Sequence, residues 1–236
     1  MIHRDPRHAQ GTPLLKRVIQ SSLDLIYPPR CAGCGRIDSR WCDRCQQELE
    51  QVAFDLRRGR LPPLEAVAAT GIHEGKLQQA IHALKYVGAH DLAAPLGERL
   101  TAALNALHWQ IDTIIPVPLH STRQRERGAN QSQQLAEYVA EALRLPCTHQ
   151  ALTRWRDTPP QVGLNREQRQ TNVRGAFRAT TNLSGSILLL DDVFTTGATL
   201  QACAQAARDA GASAVYGLTI SVARSPSADS STDRGV

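Results

Sequence analysis

The chain has 236 residues, 42% of them apolar, and carries a net charge of +5 with a pI near 9.1. That length and apolar content exclude global disorder and fit one sizeable domain with an appendage, or two small domains. Aromatics are only 4%, which argues against a base-stacking surface for single-stranded nucleic acid.

No apolar run approaches the ~20 residues of a membrane span. The start is polar and charged, without the apolar centre of a secretory signal. A cytoplasmic protein with no membrane insertion is expected, its paired cysteines reduced or metal-bound rather than disulfide-linked.

In chain order, residues 1–12 read as a disordered N-terminus. Thr12-Pro13 opens a helix, with Thr as cap and Pro in the first turn. Its apolar face runs from Leu14 to Ile26, and Tyr27-Pro28-Pro29 ends it. Two CxxC pairs follow, Cys31/Cys34 and Cys42/Cys45. Each pair can grip a metal from a tight turn. Four thiolates in tetrahedral array select zinc, and a closed four-cysteine site is structural. Dithiol redox chemistry and an iron–sulfur cluster are the alternatives. Cys147 and Cys203 are isolated and read as small buried residues.

Residues 46–66 read as a polar helix and then a linker, because Arg57-Arg58-Gly59-Arg60 and Pro62-Pro63 interrupt any pattern. The expected division is a helix and zinc ribbon over 13–60 and a main domain over 66–224. Val67–Ile72 reads as a strand and Leu77–Tyr86 as a helix stopped by Gly88. His73, His82 and His90 lack ligand spacing and are expected at the surface. Lys85 stands out, since only three Lys occur among 27 basic residues. It suits a phosphate or an exposed helix end.

A long amphipathic helix covers Leu92–Leu107. The strand from Ile111 ends in Pro116-Val117-Pro118, and a cationic loop with Arg123, Arg125 and Arg127 follows. A helix then runs from Ser132 to Leu143. A strand, rigid turn, cationic loop and helix make a phosphate-binding arrangement. Between Arg123 and Arg178 there are ten Arg, no Lys and five acids, which suits phosphorylated ligands or nucleic acid. Leu152–Phe177 is dense in Arg and Gln with weak periodicity. It reads as a mobile basic connection, with Arg169 placed to close as a lid.

Ile187–Leu190 is a four-residue apolar run leading straight into Asp191 and Asp192. It reads as a fully buried strand with its acids at the carboxyl edge of a parallel sheet. Thr195, Thr196, Gly197, Ala198 and Thr199 form a loop before the helix Leu200–Ala210. Gly197 permits a tight turn, and helix-start N–H groups favour a phosphate. The acids can accept hydrogen bonds from vicinal hydroxyls and help hold a hydrated cation. Together they suit a ribose 5-phosphate. Ala212–Val222 is a last strand, and 225–236 a Ser-rich disordered tail.

Ile187–Thr199 resembles the phosphoribosyl-pyrophosphate (PRPP) motif of type I phosphoribosyltransferases. Four ordered blocks are similar to one family: LIYPPRCAGCG with the second CxxC, LKYVGAHDLAAPLGERL, IIPVPLHSTRQRERGANQ, and RDTPPQVGLNREQRQTNVRGAF leading into ILLLDDVFTTGAT. On these the chain resembles the ComF/GntX family over about residues 14–224. Ala129 departs from that pattern, where an aromatic is common.

The resemblance implies an α/β fold: a type I phosphoribosyltransferase-like parallel sheet with helices on both faces, plus a small N-terminal four-cysteine zinc ribbon. It further implies PRPP with Mg as ligand. Asp191 and Asp192 would hold the ribose, Thr195–Thr199 the 5-phosphate, and Arg123, Arg125, Arg127 and Arg169 the pyrophosphate. The family is linked to competence. Two functions are therefore expected: a phosphoribosyltransferase, or a non-catalytic module binding single-stranded DNA or a competence helicase.

Overall fold

The computed structural model describes residues 28–156 and 166–224, excluding the side chains of Glu126, Arg127, Arg166, Glu167, Arg169 and Gln170. The helix expected after Thr12, both termini and the centre of the basic connection lie outside the described residues.

Helix α1 (Asp43–Glu50) follows the cysteine knuckles. A hairpin of β1 (Arg57–Leu61) and β2 (Leu64–Ala69) comes next, then α2 (Gly75–Tyr86) and α3 (Ala93–Leu107). Strand β3 (Thr113–Pro116) leads into the short α4 (Ser121–Arg127) and then α5 (Gln131–Leu143). An excursion follows through β4 (Leu152–Arg154), α6 (Arg166–Val173) and β5 (Phe177–Ala179). Strand β6 (Ser186–Phe194), α7 (Ala198–Asp209) and β7 (Ala214–Val222) complete the described chain.

Five strands form one sheet in the order β1-β2-β7-β6-β3. All neighbours pair parallel except the β1/β2 edge. The expected class, a parallel sheet with helices on both faces, is what the chain adopts, with an antiparallel strand added at the β1 edge.

The apolar run of β6 explains the layers. Leu188 and Leu190 pack on one face with Ile81, Leu84, Leu100 and Leu135, from α2, α3 and α5. Ile187 and Leu189 pack on the other with Leu200, Cys203 and Ala204 of α7. All four strand residues are buried. Each contributes about 1.5–3 kcal/mol relative to exposure.

Two expectations give way. The supposed linker over 57–61 is strand β1, with Pro62-Pro63 as its turn. Four of its five residues are exposed, so no alternation could betray it. Its Arg side chains suit an outer edge, where charge discourages further pairing. The cationic loop is instead helix α4, capped by the His120 ring accepting from the Thr122 N–H at 3.4 Å.

The cysteine module is built into the sheet. Leu49 of α1 lies in the same core as Leu188. Half-buried Arg99 of α3 donates to the carbonyls of Val52, Ala53 and Thr70 at 2.9, 3.0 and 3.1 Å. It pins the segment after α1 to the end of β2. Arg99→Leu removes three charge-assisted bonds and is expected to destabilise the chain by roughly 2–3 kcal/mol. It should also open residues 51–56 to limited proteolysis. An unchanged Tm and cleavage pattern would show that the clamp is dispensable.

Candidate functional site

Asp191 and Asp192 are the sixth and seventh residues of β6. Asp191 sits opposite Thr219 of β7. The two carboxylates differ in their partners. Asp192, 9% exposed, pairs with Lys85 Nζ at 2.7 Å. Asp191 Oδ1 accepts from the Ser132 hydroxyl at 2.9 Å and from the Asp192 N–H at 2.9 Å. Burial, and then the neighbouring Asp192 charge, push the Asp191 carboxyl up to about 7, against the opposing pull of Lys85 and Ser132.

Ser132 is placed by a relay of its own. Its N–H bonds to Asn130 Oδ1 at 3.1 Å, and Asn130 Nδ2 donates to the Val117 carbonyl at 3.1 Å. The N-terminus of α5 is thereby fixed to the end of β3. Val117 in turn donates to the Leu190 carbonyl at 2.9 Å.

The sequence placed Lys85 at a phosphate or in solvent; it is instead the counter-ion of Asp192. His73, expected at the surface, is half-buried and shares a 2.9 Å hydrogen bond with Ser221. Burial and the Lys85 charge push its pKa down, while Asp192 opposes them. No local spacing signalled His73, because its neighbours come from β7, β6 and α2. His82 and His90 are exposed as expected.

Beyond the acids, β6 continues to Phe194 and the chain turns through Thr195–Gly197. Gly197 has φ +78° and caps α7, offering no side chain to the first N–H groups of that helix. A Cβ there would lie 2.4 Å from Leu61 Cδ2 and 2.9 Å from Phe194 Cζ. The Thr196 hydroxyl accepts from the Ala198 N–H at a long 3.4 Å.

Arg123 and Arg125 lie on α4, which leaves the neighbouring strand β3 at the same sheet edge. Arg123 Nη2 is buried and has no hydrogen-bond partner among the described groups; Arg125 is exposed. The side chains of Arg127 and Arg169 lie outside the described ones.

The Sγ atoms of Cys31, Cys34, Cys42 and Cys45 lie within 4.8 Å of one another. Cys31–Cys45 and Cys34–Cys42 are each 3.6 Å apart. Tetrahedral zinc with Zn–S near 2.3 Å demands about 3.8 Å between sulfurs, so the cradle fits zinc and no disulfide. Gly33 makes room, since a Cβ would lie 2.7 Å from Cys45 Sγ. Burial opposes charge on Cys31, yet the N–H groups of Cys42, Gly33 and Cys34 outweigh it and draw the thiol pKa down to about 6, which favours the metal-binding thiolate.

Lys76, missed in the sequence, donates to Cys45 Sγ at 3.4 Å, pairs with Glu48 at 2.8 Å and lies 5.7 Å from the Trp41 ring centroid. Its ammonium lies where it would offset the negative charge of zinc-bound thiolates. Lys76→Glu is expected to speed zinc transfer to a chromogenic chelator by about tenfold or more, with Lys76→Arg near wild type. Equal rates in all three proteins would confine Lys76 to its Glu48 contact.

Residues 22–55 match the double zinc ribbon domain family. That stretch holds four cysteines and no histidine, enough for a single four-ligand centre. DNA utilization protein YhgH of Escherichia coli K12 is 31% identical over 197 residues, covering 78% of this chain and 85% of that protein. Its counterpart in Salmonella typhimurium LT2 is 30% identical, covering 80% of each. Competence protein F of Haemophilus influenzae is 32% identical over 205 residues, covering 81% of this chain and 90% of that one. Among solved structures, TT1426 of Thermus thermophilus shares 14% identity at a TM-score of 0.35, over 57% of this chain and 84% of that chain. No helix among the described residues is long and apolar enough to cross a membrane. Relatives alike at this level along four-fifths of the chain leave one assignment: the chain belongs to the ComF/GntX family.

Proposed function

We propose that this competence and DNA-utilization family member binds PRPP, or ribose 5-phosphate, at the carboxyl end of β6. The observation that carries the reading is a juxtaposition within one strand–loop–helix unit. Asp191 and Asp192 follow the buried run of β6, two residues before its end, and five residues beyond Asp192 a left-handed Gly197 opens a 12-residue helix whose N-cap has no side chain. Carboxylates accept from the ribose hydroxyls, while the N–H groups of Thr195–Thr199 and the helix dipole receive the 5-phosphate. Arg123, with its unpartnered buried nitrogen, and Arg125 and Arg127 on the same helix suit a pyrophosphate. Arg169 is assigned a closing contact.

The two acids do not form a protein cage for Mg2+, since Lys85 occupies Asp192. Mg2+ fits here as a partner of the ligand's own phosphates. If the site is catalytic, the anomeric carbon–oxygen bond to pyrophosphate breaks as a bond to an acceptor nitrogen forms. Ionised Asp191 and Asp192 would stabilise the positive charge that develops on the sugar.

A second reading is favoured by the names of the relatives and by the basic run Arg123–Arg178. In it the same fold serves DNA handling without transfer, through single-stranded DNA or a helicase. Pyrophosphate release across a panel of nucleobases separates the two.

Calorimetric titration of PRPP with Mg2+ is expected to give saturable heats that vanish in Asp191→Asn/Asp192→Asn, with zinc content unchanged. Gly197→Ala should weaken binding at least tenfold, because the left-handed backbone and the Leu61 contact forbid a Cβ. Wild-type-like heats in the double variant would sink the pocket.

Affinity should also rise between about pH 6 and about pH 8 as Asp191 ionises. The folded pKa of Asp191 lies above its unfolded value. Its contribution to stability is therefore greatest at low pH and is lost as pH rises from about 4 towards 7. A carboxyl resonance of Asp191 titrating near 4 would contradict both trends.

A further inference from the structure

The scarcity of aromatics in the sequence gave no warning of the surface formed by β4 and β5. These strands pair antiparallel as Leu152↔Ala179, Thr153↔Arg178 and Arg154↔Phe177. Leu152, Arg154 and Phe177 are buried, and Leu152 and Phe177 pack with Val173 and Ala176 in the α7-side core. Side chains alternate along a strand, so Thr153, Trp155 and Arg178 share the opposite face.

Trp155 is 54% exposed. It is nevertheless held in place. Its indole N–H donates to the Gly175 carbonyl at 3.0 Å, and the Arg178 guanidinium carbon lies 5.8 Å from its ring centroid. Arg156 secures the same corner by donating to the carbonyls of Asn172 and Arg174. Arg156, Arg174 and Arg178 are all exposed, and no acidic group lies among the described side chains of β4, β5 and the 174–176 turn. A large ring left in water with its orientation fixed, with the Arg178 guanidinium against it and exposed Arg156 and Arg174 at the same corner, has the charge and shape of a binding surface rather than of leftover core.

We propose that this face is a stacking platform for single-stranded DNA. A base packs against the Trp155 indole, and Arg156, Arg174 and Arg178 take the flanking phosphates. Aromatic stacking with cationic flanks suits a single strand, whose base faces are free, whereas a duplex hides them. The inference rests on the DNA-handling role above and is independent of the sugar-phosphate pocket.

The test uses the full chain and a labelled oligothymidylate of about 20 nucleotides, read by fluorescence anisotropy at two salt concentrations. Trp155→Ala is expected to weaken binding about tenfold or more, and Trp155→Phe by less than about threefold. Arg174→Glu/Arg178→Glu should weaken binding and reduce the salt slope by roughly two. PRPP titrations should be unaffected by any of these changes. Wild-type affinity in Trp155→Ala, with an unchanged Tm, overturns the platform while leaving DNA binding intact. If Trp155→Ala lowers Tm, the Arg double variant decides, and undiminished affinity there overturns the platform equally. Absence of any binding by the wild type at low salt removes the DNA role and the platform together.

Discussion

Everything at the sheet edge follows from one constraint: two consecutive carboxylates lie near the carboxyl end of a strand whose preceding residues are buried on both faces. Neither can rely on bulk water, and both cannot stay charged unaided at such short range. The chain treats them differently. Asp192 is paired with Lys85. Asp191 leans on the Ser132 hydroxyl and the Asp192 N–H, and its pKa climbs to about 7. Adjacent residues with opposite electrostatic treatment make a site that can hold a proton or release it near neutrality.

Helix α2 connects this edge to the metal centre. Both described lysines sit on it, Lys76 against the thiolates and Lys85 against Asp192. Nine residues of helix separate them by about 13 Å. One rigid element therefore supplies the counter-charge for two anionic clusters. Lysine is otherwise almost absent from a chain that uses Arg for its other cations. A compact ammonium on a flexible stem serves thiolates or a single carboxylate oxygen as a point charge, with no need of the fork that a guanidinium presents.

The ribbon is accordingly part of the main core and not a bead on a tether. Leu49 shares the core of α3 and α5, with Trp41 and Ala32 packed against it, and Arg99 bonds the following segment to the end of β2. Zinc that orders the knuckles thereby also orders the surface on which β2 and α2 rest. The β4/β5 excursion lies on the other face of the sheet, packed on α7 through Leu152 and Phe177.

The sequence by itself determined whatever depends on a residue's immediate neighbours along the chain. The paired CxxC turns, the apolar tetrad of β6 with its two acids, and the Gly197 helix start were legible because spacing alone brings those groups together. So were the helices whose apolar faces repeat with the turn. Strand β1 was not, since an edge strand exposed on both sides carries no alternation. The charges on α4 showed, but not its helical form, because seven polar residues give no period to read. Only the tertiary structure decided that Lys85 meets Asp192, that His73 meets Ser221, that Lys76 meets Cys45 and that Trp155 stays in water. Those pairings follow from the strand order β2-β7-β6-β3 and from which helix covers which face. Periodicity reports that a residue is buried, while its partner is chosen by elements far away in the chain.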